Sequence, residues 1–96
     1  MTKSQNEKKL EFKNSSDIVG PKGAEISFEV FLNHVDEFVS HTWKVVDAEG
    51  NLIVEEVVTD SNEWKHFFAH EYTTFTVTLT TKWSDGETVT LTTTLI

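Results

Sequence analysis

The chain has no cysteine, which excludes a disulfide framework, a thiolate metal site and a cysteine nucleophile at once. Arginine is also missing, and all eight basic residues are lysine. The side chain best suited to bidentate contacts with phosphates and base edges is therefore absent, and nucleic acid is not an expected partner. No run approaches the roughly 18 apolar residues that a membrane-spanning helix needs. The first twenty residues are polar, without the apolar core of a signal peptide. The expectation is a chain made in the cytoplasm with no membrane span. With one proline and four glycines in 96 residues, punctuation is sparse, so turns must be found from Asp, Asn and Ser as well.

What is present is aromatic and acidic. Seven Phe and three Trp can supply much of the burial that a single small domain needs, and the length leaves no room for a second core. The net charge of −8 is unevenly spread. Residues 1–22 hold Lys3, Lys8, Lys9, Lys13 and Lys22 against Glu7, Glu11 and Asp17, a local +2, and the rest of the chain carries −10. This divides the chain into a polar, lysine-bearing N-terminal arm, residues 1–22, containing a first strand around Leu10 to Lys13, and a body, residues 23–96. A basic arm on an acidic body can dock onto an acidic partner or fold back on its own domain.

The body reads as strands. From Glu25 to Asn33 the chain alternates, with Ile26, Phe28, Val30 and Leu32 on one side and Ser27, Glu29 and Phe31 on the other, the period of a half-buried strand. His41 to Val46 repeats the pattern with Trp43 and Val45 inward, and Asp47 to Asn51 supplies turn residues. Leu52 to Val58 is a return strand in which Glu55-Glu56 marks an edge or a bulge. Trp64 to Phe68 adds another. Phe75, Val77, Leu79 and Thr81 alternate with threonines, Ser84-Asp85-Gly86 turns the chain, and Val89, Leu91, Thr93 and Leu95 alternate with threonines again. That is a hairpin with one apolar and one threonine-lined face. Dense β-branching restricts χ1 in a helix but suits a pleated strand. The fold class is all-β, a two-sheet sandwich of six to seven antiparallel strands.

Trp43 followed by Asp47 and Gly50, then His70-Glu71-Tyr72, then Phe75-Thr76-Val77-Thr78-Leu79-Thr80, resembles the order of signals in polycystic-kidney-disease (PKD) type domains, a branch of the immunoglobulin-like sandwiches. The resemblance covers about residues 25–96. It departs where the family's compact Gly-Asp-Gly turn becomes Val46-Asp47-Ala48-Glu49-Gly50, and where a Gly before Phe75 is missing. It implies an extracellular or surface-display module without catalytic residues, and no ligand motif transfers with it.

Candidate contact residues are Lys8, Lys9 and Lys13 in the arm and Trp64 and Phe67 in the body. Trp43 belongs to the core. Of Phe67 and Phe68, neighbours on a strand, one must face outward, and Trp83 beside the hairpin turn is equally open. His66 and His70 lie about 13 Å apart if the strand is extended, too far for one zinc ion, and His34 and His41 flank an apolar loop containing Phe38. Asp47, Glu49 and Asn51, or Asp60, Asn62 and Glu63, offer oxygen donors for calcium, though neither run has the spacing of a known calcium loop. Neither a cofactor nor a metal is expected. No phosphate loop, nucleophile elbow or paired carboxylate is visible, so the chain is expected not to be an enzyme.

Two non-catalytic roles follow as expectations. One is a virion-surface accessory protein, of the decoration or tail kind found on bacteriophages, with the arm fixing the sandwich to a capsid or tail. The other is an adhesive or spacer domain of a bacterial surface protein, extracellular as part of a longer chain and binding protein or carbohydrate.

Overall fold

In the computed structural model, residues 7–69 and 74–96 are described. Seven strands form two antiparallel sheets: β1 Leu10–Asn14, β2 Ala24–Leu32, β3 Phe38–Asp47, β4 Leu52–Val58, β5 Glu63–Phe68, β6 Phe75–Trp83 and β7 Thr88–Leu95. One sheet has the order β1-β2-β5 and the other β4-β3-β6-β7, so the chain changes sheet after β2, after β4 and after β5. An immunoglobulin constant-type sandwich places its fourth strand beside the first sheet. Here β4 pairs with β3 instead, over Val46↔Leu52 to His41↔Val58.

Alternation explains which faces meet. Ile26, Phe28 and Val30 of β2, Trp43 and Val45 of β3, Trp64 and Phe68 of β5 and Phe75, Val77 and Leu79 of β6 all point between the sheets and are buried. Rings join the two layers. Trp43 and Trp64 stack with centroids 5.0 Å apart, Phe28 lies 5.1 Å from Trp43 and Phe12 meets Trp43 edge-on at 5.6 Å. Such pairs add about 0.5–1.5 kcal/mol each beyond the area they bury.

Residues 7–22 are part of this body. β1 pairs with β2 from Leu10↔Leu32 to Asn14↔Phe28, and Val19 is buried in the core. Between them the chain crosses to the other sheet, where Asp17 C=O accepts from Ile96 N–H at 2.8 Å and Val19 N–H donates to Ile96 C=O at 2.6 Å. The two ends of the domain are thereby stitched together.

Phe38 begins β3 and does not lie in a loop, because it pairs with Trp83 ahead of a register shift between Phe38 and Ser40. A short 3₁₀ turn, Val35–Glu37, leads into it from His34, which is left-handed at φ 52. Phe68 faces in and Phe67 out, as the alternation from Trp64 dictates. Trp83, on the same parity as Val77 and Leu79, is fully buried and donates its indole N–H to Asn33 C=O at 3.2 Å.

Candidate functional site

At one end of the sandwich Lys8 is enclosed, with its side chain 4% exposed. Its ammonium donates to Asp85 Oδ2 at 2.8 Å in the β6–β7 turn and lies 3.4 Å from Glu37 Oε1. The hydrogen bond to Asp85 holds the Lys8 ammonium above its ordinary pKa, and the same bond, with the Glu87 N–H, holds the Asp85 carboxyl below its own. Asn33 completes the latch: its Oδ1 accepts from Lys9 N–H at 2.8 Å and its amide nitrogen donates to Glu7 C=O at 2.9 Å. Lys8 is thus occupied within the domain. Lys9 and Lys13 are exposed, but Lys13 lies in one cross-strand row with Glu29 and Glu63, and its Nζ is 5.6 Å from the Phe31 ring centroid. Among the described residues, Lys8 is thus paired with carboxylates and Lys13 shares its row with two of them.

A second polar group is internal. His41 on β3 is buried, with Nδ1 2.7 Å from Thr81 Oγ1 and Nε2 2.9 Å from Asn62 Oδ1. An amide oxygen only accepts, so Nε2 carries the proton and Nδ1 accepts from the Thr81 hydroxyl. Burial pushes the imidazole below its ordinary pKa, which keeps this neutral arrangement. Its role is to tie β3 and β6 to the loop before β5.

Trp64 faces the interior and is buried, and its indole N–H donates to Glu56 Oε1 at 2.9 Å. Glu56 lies on the inward parity of β4, opposite Trp43, so its carboxylate closes the side of the sandwich between β4 and β5. His66 stacks on Trp64 with centroids 5.5 Å apart. Burial lowers its pKa and the Glu56 charge partly opposes that shift.

Beyond this side lies a cleft of about 380 Å³ lined by Asp47, Glu49, Ile53, His66, Phe67, Phe68, Ala69 and Phe75. Phe67 is 56% exposed, with one side of its ring against the backbone of Gly23. Gly23, at φ +77, passes so close beneath it that a β-carbon there would stand 2.8 Å from Phe67 Cζ. Exposed Ile53 is the other apolar wall, and Asp47 and Glu49 give an acidic rim. The Asp47 carboxylate is engaged by its own turn, accepting from Asn51 N–H and Glu49 N–H at 2.9 Å each and from the Asn51 amide at 3.2 Å. These donors, the Asn51 N–H foremost, hold it below the ordinary carboxylate pKa. The Asp47 side chain thus serves to close its own turn. His70, and with it the His70-Glu71-Tyr72 segment of the family resemblance, lies outside the described residues. Among the described residues no three His, Asp or Glu side chains converge as a metal site requires.

The outer face of the four-stranded sheet is of another kind. Registered rows place Thr42 beside Thr80 and Thr90, Lys44 beside Thr78 and Thr92, and Val46 beside Thr76 and Thr94. Thr80 and Thr90 hydroxyls are 3.1 Å apart. Stiff β-branched side chains with a methyl and a hydroxyl each cover this face, and Lys44, Lys82 and Glu55 are its charges. Compared with family models, with curated proteins and with solved structures, the chain matches none.

Proposed function

We propose that this chain is a non-catalytic structural and binding module, an immunoglobulin-like sandwich of PKD-like descent that meets its partner through the outside of the fold. The observation that carries the reading is the Phe67–Gly23 contact. An aromatic ring left largely in water, resting against backbone and beside a cleft with an aliphatic wall, has the form of a contact residue. The interior supports the same reading, since interlocked rings fill it and the charged groups nearest to it serve turns, the latch and the sandwich side.

In its specific form the proposal is a virion-surface accessory domain on a capsid or tail. Stability that needs no disulfide suits assembly in a reducing cytoplasm. The second reading, an adhesive or spacer domain of a bacterial surface protein, is favoured by the cleft itself, where an exposed ring can stack on a sugar or fill a pocket of a protein.

The test is co-sedimentation of the full chain with phage particles and with bacterial envelopes, at low and moderate salt. Deleting residues 1–22 would remove Phe12 and Val19 from the core, so point variants are used. Phe67→Ser should keep its fold and lose pelleting, whereas Lys9→Glu with Lys13→Glu should weaken only a salt-sensitive component. Pelleting with envelopes alone selects the adhesive reading. Pelleting that Phe67→Ser leaves intact removes the cleft from the function.

A further inference from the structure

The two sheets have four edge strands, β1, β5, β4 and β7, and three of them carry charges that discourage edge pairing. β1 has Glu11 and Lys13, β5 has Glu63 and Lys65, and β4 has Glu55 and Glu56. β7, with the sequence TVTLTTTL, has no charge, no proline and no break in its register with β6. Among the described residues nothing pairs with its open side until Ile96, which meets Asp17 and Val19.

Parity shows which amides face the open side. Ile96 turns both its N–H and its C=O away from β6 toward Asp17–Val19. With a strand period of two, Thr94, Thr92, Thr90 and Thr88 turn theirs the same way. The hairpin end agrees: Glu87, of opposite parity, accepts from Trp83 N–H at 3.0 Å on the β6 side.

From this we infer that β7 is a self-complementary edge at which a second copy of the chain adds in antiparallel fashion. A twofold axis at Leu91 sets Thr88 against Thr94 of the second copy and Thr90 against its Thr92. Every one of these is a pair whose backbone groups face each other, and two bonds in each of the four pairs give about eight across the axis. Leu91 then meets its own copy at a position of the closely spaced type, on the apolar side of the sheet, where it is half-buried in the single chain. Threonine meets threonine on the outer side, and no charge opposes another within the strand. Glu55 would face its own copy in a similar pairing of β4. The register is bounded at both ends, because Asp17–Val19 occupies the edge at Ile96 and the hairpin turns away at Glu87. The product is a continuous eight-stranded sheet whose outer surface joins both threonine faces. It is independent of the Phe67 cleft, which lies beside β4 and β5.

Sedimentation velocity of the full chain, from low to high micromolar, tests this. The wild-type chain should dimerise. Thr92→Pro removes an N–H that points to the open side and leaves the β6 ladder intact, so it should weaken the dimer by about tenfold or more. In a chain without other cysteines, Leu91→Cys should form a disulfide-linked dimer on mild oxidation much faster than Val57→Cys on the β4 edge. A wild-type chain that stays monomeric overturns the inference, as does a dimer that a folded Thr92→Pro leaves unchanged. Should Thr92→Pro not fold, the two cysteine variants decide: faster linking at position 91 supports β7, and equal rates overturn it.

Discussion

Gly23 and Phe67 are packed so closely that no other residue fits at position 23: an added β-carbon would lie 2.8 Å from both Phe67 Cζ and the Phe68 carbonyl oxygen. The backbone there is also left-handed, at φ +77. Gly23→Ala should therefore cost about 2 kcal/mol or more, from the strained conformation and the displaced ring together. Urea unfolding measures the loss. Phe67→Ala, by contrast, removes a largely exposed side chain and should change stability much less.

Trp43 is the opposite case. It is buried and touches Phe12, Phe28 and Trp64, so Trp43→Ala should cost about 3–5 kcal/mol. A domain of this length has roughly 5–14 kcal/mol in total. The variant should be partly unfolded at 37 °C, with loss of near-UV circular dichroism and a much lower Tm. If it melted like the parent, the stacked rings would not be the centre of the core.

Much of this architecture was legible. The β6–β7 hairpin announced itself because threonines and aliphatics alternate without interruption, and Trp43 fell on the inward parity of its strand. The same parity also settles the facing of Trp83 and of the Phe67-Phe68 pair. Counting from Phe75 places Trp83 inside, and counting from Trp64 places Phe68 inside and Phe67 outside, but His66 as an inward residue obscures that count. The latch was not legible at all. Lys8 and Asp85 are 77 positions apart, and nothing local distinguishes Lys8 from Lys9, so the charge pattern alone does not choose between docking on a partner and folding back on the domain.

The latch makes its own prediction. Lys8→Met should leave Asp85 and Glu37 without their cation and loosen β1, seen as faster hydrogen exchange at Glu11, Lys13 and Ser15, whose amides face β2, with less change in β6. Asp85→Asn should act on the same amides. Combined, the two should be less than additive, because they break one contact. Additive effects would mean that the lysine and the carboxylate act separately.

The dependence of stability on pH should have a definite sign. His41 and His66 both titrate below the ordinary imidazole value in the fold, chiefly because burial disfavours the cation, so between that lowered value and about 6.5 the unfolded chain binds more protons than the native one. Their contribution is complete above about pH 6.5 and is lost as pH falls from there toward the folded values. Asp47 and Asp85, held below the ordinary carboxylate range by hydrogen bonds, add a second loss as pH falls through and below about 4. Lys8, raised by Asp85, contributes below about pH 10.4 and loses that contribution as pH rises through its folded value. The urea midpoint should thus decline in two acid steps. His41→Gln, which keeps an N–H for Asn62 but cannot ionise, should flatten the first step while lowering the plateau. A slope near pH 6 that this variant leaves untouched would assign the step to His66, which the corresponding His66→Gln variant would then remove.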